Sequence, residues 1–419
     1  MRSSEIETLG TLGGRVIALS GGIARDVHRS VAGRAFGALG VLGTPVRVMH
    51  DGISSAAYAT VGASLRAVPR AIGTAAGRTA PPDGPSIADA PGGALALAAL
   101  NGFWGDSIAR DHADLAPDLS IRRRGRAVTP DSAGLARAYP DATGRIAVFV
   151  HGLCETEQAW NLTPFTRGPQ RRRSYGARLR DELGYTPVYV RFNTGLHVSD
   201  NGRRLAEVLD HLVQAWPVDV QEVVLVGHSM GGLVARSACH YGEATGQRWT
   251  APLRHVFCLG TPHLGAPLER AANAAGHALT RLAETRPFGA LLNARSSGIK
   301  DMRFGSCVEE DWCDCEPDEY LRDRCTEVPF LPTATYYFIG ATLARDPDGR
   351  LGRVAGDLLV QFASASGNGP KRRIPFEIDN GFHVGGINHL QLLNHPAVYQ
   401  QIRKWLVREP AARRALEAG

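Results

Sequence analysis

Gly227-His228-Ser229-Met230-Gly231 is the stretch best equipped for chemistry. It is a hydroxyl between glycines, entered from the apolar run Val223 to Val226 and left through an Ala-rich pattern that begins at Gly232 and Leu233. This order reads as a strand, a sharp turn and a helix. In so tight a turn the serine backbone is strained, and glycines remove the Cβ atoms that would collide as strand and helix close together. The hydroxyl is pushed out above the sheet, where it can act as a nucleophile. Acyl transfer by such a serine requires a base touching it, a group that orients the base, and donors aimed at the developing oxyanion. A chain with 48 glycines in 419 residues can produce the pentapeptide by accident. The flanking strand and helix argue against accident.

The elements that must position this serine follow from periodicity. Arg145 to Val150 reads as a buried strand ending at His151-Gly152, and further strands are expected at Pro187 to Arg191, Glu222 to Val226, His255 to Leu259 and Ala334 to Ile339. Asp118 to Arg123 and Ala127 to Thr129 are short extended candidates. Helical patterns lie around Asn201 to Ala215 and Gly232 to Tyr241. Alternation of this kind predicts a mostly parallel sheet covered on both faces. From Gly21 to about Val68 the pattern is helical, with Pro45 separating two helices and Pro69 ending the second. Residues 78–93, which include Pro81, Pro82, Pro85 and Pro91, read as a linker. The chain therefore divides into a helical hairpin at 1–77, that linker, and an α/β domain at 94–419.

Composition narrows the classes. Arginine dominates the formal charge of +6, since only Lys300, Lys371 and Lys404 are lysine. Residues 1–80 hold nine arginines against Glu5, Glu7, Asp26 and Asp51, a local excess of 9 − 4 = +5. The arginines are neither clustered nor interleaved with aromatic residues, so nucleic-acid binding is not expected. Arg25, Arg29 and Arg34 lie off the apolar stripe of the first helix. The expectation is a hairpin packed on the main domain or on a second copy of the chain, with peripheral contact to an anionic membrane as the alternative. No run of about 18 apolar residues suggests a membrane span. The first twenty residues lack the pattern of a signal peptide, and cytoplasmic residence, with possible membrane association, is expected.

With Val150-His151-Gly152-Leu153 upstream and the pentapeptide at Ser229, followed by a late acid and a late histidine, the chain resembles the α/β-hydrolase superfamily. It looks most like bacterial lipases and esterases. The run Leu259-Gly260-Thr261-Pro262-His263-Leu264-Gly265-Ala266-Pro267 is similar to a segment of lipases related to GPI inositol-deacylases. The resemblance covers about residues 118–408. It implies an α/β-hydrolase fold with a cap insertion and a helical N-terminal extension, and no cofactor. In that family the base histidine comes last, which points to His389, with His395 and His383 as rivals; His395-Pro396 reads as a helix start. The acid is expected at Asp357, with Asp346, Asp348 and Asp379 as alternatives. The oxyanion donors would be the backbone amides of Leu153 and Met230. His263 either lines the acyl pocket or packs beneath the elbow, and His151 and His228 are expected to be structural neighbours.

From Pro267 to about Leu331 the alternation stops, where a cap is expected. Within it Cys307, Cys313, Cys315 and Cys325, at spacings that do not match a zinc pair, alternate with Glu309, Glu310, Asp311, Asp314, Glu316, Asp318 and Glu319. Disulfides, free thiols and a calcium site are the readings, of which disulfides are preferred over metal. The expected activity is hydrolysis of a hydrophobic acyl ester through a Ser229 acyl-enzyme. Acyl transfer, thioester or amide cleavage, or a non-catalytic binding module are the alternatives.

Overall fold

Eight strands form one sheet in the order β2-β1-β4-β3-β5-β6-β7-β8. They are β1 (Ser120–Arg123), β2 (Arg126–Val128), β3 (Arg145–Val150), β4 (Thr186–Arg191), β5 (Glu222–His228), β6 (Leu253–Leu259), β7 (Thr335–Thr342) and β8 (Gly381–Gly385). From β4 to β8 every pairing is parallel, and only β1 and β2 run antiparallel at one edge. The computed structural model describes residues 1–38, 40, 44–162, 173–346 and 356–408. The helices are α1 (Ser3–Ala38), α2 (Thr44–Thr79), α3 (Pro91–Asp111), α4 (Ser132–Ala138), α5 (Tyr175–Leu183), α6 (Val198–Ala215), α7 (Met230–Ala244), α8 (Pro267–Leu279), α9 (Arg286–Asn293), α10 (Ser297–Asp301), α11 (Phe362–Ala365) and α12 (Pro396–Leu406).

Side chains on successive strand residues point to opposite faces, and the apolar strands use both. Ile146, Val148 and Val150 of β3 join Leu205 and Leu209 of α6 and Leu233 of α7 in one core cluster. Ala147 and Phe149 face the other way and meet Leu179 of α5 and Ile402 and Trp405 of α12. The result is an α/β-hydrolase fold: a mostly parallel sheet between two helical layers. Strand β3 pairs with both β4 and β5. The chain order therefore reverses at β3, and the crevice beyond the carboxyl ends of β3 and β5 is where such a sheet binds ligands.

The structure corrects three expectations. Pro69 does not end the second helix, which continues to Thr79. An internal proline costs a helix one backbone bond, but α1 and α2 approach closely there. A Cβ added to Gly73 would stand 2.9 Å from the Gly10 Cα. That tertiary contact holds the last turns in helical form. Second, His383 lies on an edge strand, β8 (Gly381–Gly385), that is absent from the strands expected from periodicity. Its glycines concealed a parallel pairing with β7. Third, the four insertion cysteines form no disulfide, and all seven cysteines of the chain are free thiols. The acidic residues among them answer amides and basic side chains. Asp311 accepts from the amides of Cys307 (2.8 Å) and Thr326 (2.6 Å), while Asp318 takes Lys300 (2.9 Å). Among the described residues no cluster of His, Cys, Asp and Glu has the geometry of a metal site.

The insertion between β6 and β7 is organised by a buried carboxylate. Glu269 of α8 receives Arg295 at 2.6 and 2.7 Å and Arg303 at 3.2 Å, with all three side chains under a tenth exposed. Asp301, also buried, accepts from the Val198 amide at 2.7 Å and faces His197 Nδ1 at 3.0 Å. This ties the insertion to the start of α6.

Candidate active site

Ser229 stands between β5 and α7 at φ 54° and ψ −124°, a backbone region that L residues other than glycine rarely adopt. Two features impose it. The Ser229 amide donates to Leu259 O at 2.8 Å, pinning the elbow to the end of β6. A Cβ on Gly227 would lie 2.6 Å from Gly231 O and from the Gly232 Cα, so only glycine lets strand and helix meet. Strain of this sort costs on the order of 1–3 kcal/mol and persists where packing over-determines it. Ser229 itself is 9% exposed.

The candidate acid and base meet. His389 Nδ1 and Asp357 Oδ2 are 2.7 Å apart, and the His389 amide donates to Asp357 O at 3.0 Å. The Asp357 carboxylate also accepts from the amides of Leu359 and Val360, at 3.1 and 2.8 Å. A carboxylate so held accepts Nδ1–H, which leaves Nε2 as the basic nitrogen. His389 Nε2 is buried and has no hydrogen-bond partner. A capping box formed by Asn388 and Gln391 fixes the short 3-10 turn that His389 opens. The loop beyond β6 brings the two halves together: Leu259 O holds the Ser229 amide, and a Cβ on Gly260 would stand 2.9 Å from His389 Cε1.

The described rivals have other places in the fold. His395 is the N-cap of α12. His383 Nε2 lies 2.7 Å from Thr342 Oγ1. Asp379 belongs to the 3-10 turn Ile378–Asn380, and Asp348 lies outside the described residues. His263 is fully buried, with Nδ1 3.2 Å from Arg236 Nη1 and its ring against Phe376. Burial and the nearby guanidinium groups of Arg236 and Arg372 hold it well below its ordinary pKa. Its neighbours in this structure are Arg236 of α7 and Phe376. Met230 opens α7, where helix geometry leaves its amide without an intrahelical acceptor. Leu153 follows Gly152 in the turn after β3.

Sequence reasoning passed over Glu155. Its Oε2 accepts from the Gly152 amide at 2.7 Å, and its two oxygens lie 3.0 and 3.1 Å from His228 Nδ1. Burial raises the carboxylate's pKa, but the His228 charge and the hydrogen bonds outweigh it and bring it down to about 2. Burial lowers the His228 imidazole, and Glu155 overrides that, leaving it above its ordinary value. The only signal was an acid three residues after Gly152, in a loop that also holds Glu157, and such a pair ordinarily reads as a solvated face. His151 uses both ring nitrogens on backbone, facing Gly152 O at 2.9 Å and the Phe192 amide at 3.3 Å.

A family model described as a PGAP1-like alpha/beta domain matches residues 179–304. The mature form of the Bacillus licheniformis lipase BlEst2 is similar at 19% identity and a TM-score of 0.40, over 62% of this chain and 91% of that one. Aspergillus fumigatus lipase B is similar at 12% identity and a TM-score of 0.37, over 67% of this chain and 54% of that one. The phospholipase PlaB of Legionella pneumophila is similar at 14% identity and a TM-score of 0.37, over 62% and 59%. No curated protein matches the chain.

Proposed function

We propose that this α/β hydrolase is a serine carboxylic-ester hydrolase acting on a hydrophobic acyl ester. The observation that carries the reading is the 2.7 Å Asp357–His389 contact, with the far imidazole nitrogen buried and without a hydrogen-bond partner, and with the His389 ring against Gly260, next to the Leu259 carbonyl that holds the Ser229 amide. In this reading Ser229 Oγ attacks the acyl carbon while His389 Nε2 takes its proton, and the amides of Leu153 and Met230 receive the oxyanion. Collapse expels the alcohol with the proton from His389, leaving the acyl-enzyme. Water then attacks with His389 again as base, the ester bond to Ser229 breaks, and a carboxylic acid leaves. Asp357 keeps Nδ1 protonated and stabilises the imidazolium throughout.

The apolar substrate is supported by leucines beside the acid and the base. Leu358 and Leu359 follow Asp357, Leu390 follows His389, and all three are exposed. Exposed leucines so grouped form a surface for apolar acyl chains. The same reading takes an anionic bilayer as the surface on which the hairpin rests. Val46, Met49, Ile53, Val61, Val68 and Ile72 on α2 are each more than half exposed. Beside them Arg66, Arg70 and Arg78 line an open groove with alanines. Guanidinium groups beside exposed apolar side chains complement phospholipid headgroups above acyl chains. Among the described residues no helix is long and apolar enough to cross a membrane, and the hairpin would lie on the surface.

The test is direct. Ser229→Ala protein should keep its circular dichroism and lose p-nitrophenyl butyrate turnover by more than about a thousand-fold, and a fluorophosphonate probe should label the parent protein at Ser229 alone. Undiminished turnover would sink the assignment.

A further inference from the structure

Three elements of the candidate site converge on His228, one residue before the nucleophile. Its Nδ1 faces the Glu155 carboxylate at 3.0 Å, and its Nε2 lies 3.4 Å from the backbone carbonyl of His389. Both ring nitrogens therefore meet acceptors, an arrangement that only the doubly protonated ring satisfies. The ring has no exposed surface and sits 4.8 Å, centroid to centroid, from the His389 ring, with Trp160 edge-on at 6.3 Å. On its other side Glu155 also holds the Gly152 amide, which precedes Leu153 in the turn after β3. Gly152 is the crowded centre of this arrangement. A Cβ there would stand 3.0 Å from Ser229 Cβ, 3.1 Å from Glu155 Oε2 and 3.2 Å from His228 Nδ1.

We infer that Glu155 and His228 form a charged brace that holds the Gly152–Leu153 turn and the His389 loop at fixed positions on either side of Ser229. The inference rests on the hydrolase reading above and adds two positioning residues to it. Neither touches the reacting atoms. The carboxylate is compensated by an imidazolium and an amide, and the imidazolium by a carboxylate and a carbonyl, so the buried charges are paired as burial demands. Neutralising either member breaks one end. An uncharged His228 keeps a single N–H, and it must abandon either Glu155 or the His389 carbonyl. The titratable groups that surround it are Glu155 from the loop after β3, Asp357 and His389 from the loops after β7 and β8, and His151, which lies near Glu155. The two nearby carboxylates favour the charged ring, and burial opposes it.

The consequence is a rate that depends on His228 remaining protonated. Glu155→Gln keeps the size of the side chain and an oxygen for the Gly152 amide, but removes the charge. Its expected effect is a fall in kcat of between about ten- and a hundred-fold with KM for p-nitrophenyl butyrate little changed, and an alkaline limb of the kcat profile displaced to lower pH. Glu155→Asp, which restores the charge on a shorter arm, should recover part of the rate and return that limb upward. The ring state itself is read by 15N NMR of the parent protein at neutral pH. Both His228 nitrogens should be protonated there, and in Glu155→Gln protein one should be bare. A neutral His228 ring in the parent protein, or a Glu155→Gln profile superimposable on the parental one, overturns the brace. The NMR measurement needs no turnover. If Ser229 fails to label, the hydrolase reading falls while the ring state still decides the brace.

Discussion

At the scale of single residues, Glu155 and His228 are a pair whose members shift one another's protonation. The Glu155 carboxylate is brought from its ordinary 4.5 down to about 2 by His228 and the Gly152 amide. A depressed carboxylate stabilises the fold above its unfolded pKa and loses that contribution as pH falls through the folded value. His228 is raised above 6.5, so its contribution is complete below about that pH and is lost as pH rises through the folded pKa. Urea unfolding followed from pH 2 to 9 should therefore show an acid limb between 4.5 and about 2 that flattens in Glu155→Gln protein. An acid limb of unchanged steepness in that variant would show that other carboxylates set it. Ser229 stood out in the chain through its glycine elbow, whereas Asp357 and His389 were named from the resemblance to a family, which places an acid and then a histidine late in the chain. Glu155 has neither signal, and its role exists only because the turn after β3 folds back beside His228.

At the scale of elements, the insertion between β6 and β7 shows how the same composition serves different ends. Its cysteines and acids suggested staples or a cation, but the chain there is held by arginine–carboxylate contacts. Glu269 is the centre of these, buried between Arg295 and Arg303. Removing one partner of a buried ion pair typically costs about 3–5 kcal/mol, because the remaining charges are left without compensation. Glu269→Gln protein should unfold at correspondingly lower urea, and protease cleavage should concentrate in residues 267–331. A loss below about 1 kcal/mol would mean that Asp318, 3.5 Å from Arg295, takes over as counter-ion. The helix running past Pro69 makes a similar point. Local rules end it there, and the Gly10–Gly73 crossing carries it on.

At the scale of the whole molecule, the hairpin joins the α/β domain through α1. Arg34 Nε meets Glu284 at 2.6 Å, Arg15 meets Asp111 at 3.2 Å, and Leu9 and Leu12 pack on Leu97, Ile108 and Leu115 of α3 and the turn after it. Helix α2 packs on α1 and turns its apolar side outward. The parent protein should sediment with vesicles of phosphatidylcholine and phosphatidylglycerol, and far less with phosphatidylcholine alone. Each arginine at the surface contributes about 1 kcal/mol to such binding, and added salt should weaken it. A variant with Ile53, Val61 and Val68 changed to glutamate should stay in solution and keep its rate on a soluble ester. If the parent protein ignores both vesicles and this variant converts a dimer to a monomer, the face is an interface between two copies of the chain.

The sequence by itself determined the parallel sheet and the strand-turn-helix elbow at Ser229, because these rest on periodicity and on glycine positions that are local properties of a chain, while Asp357 and His389 were reached through the resemblance to a family. Tertiary structure alone decided what depends on separated segments meeting. Asp357 and His389 are joined across 32 residues and His228 and Glu155 across 73, the thiols remain apart, and β8 finds β7. An apolar strand is written in its own residues, whereas a buried charge takes its meaning from whatever lies opposite it once water has been excluded.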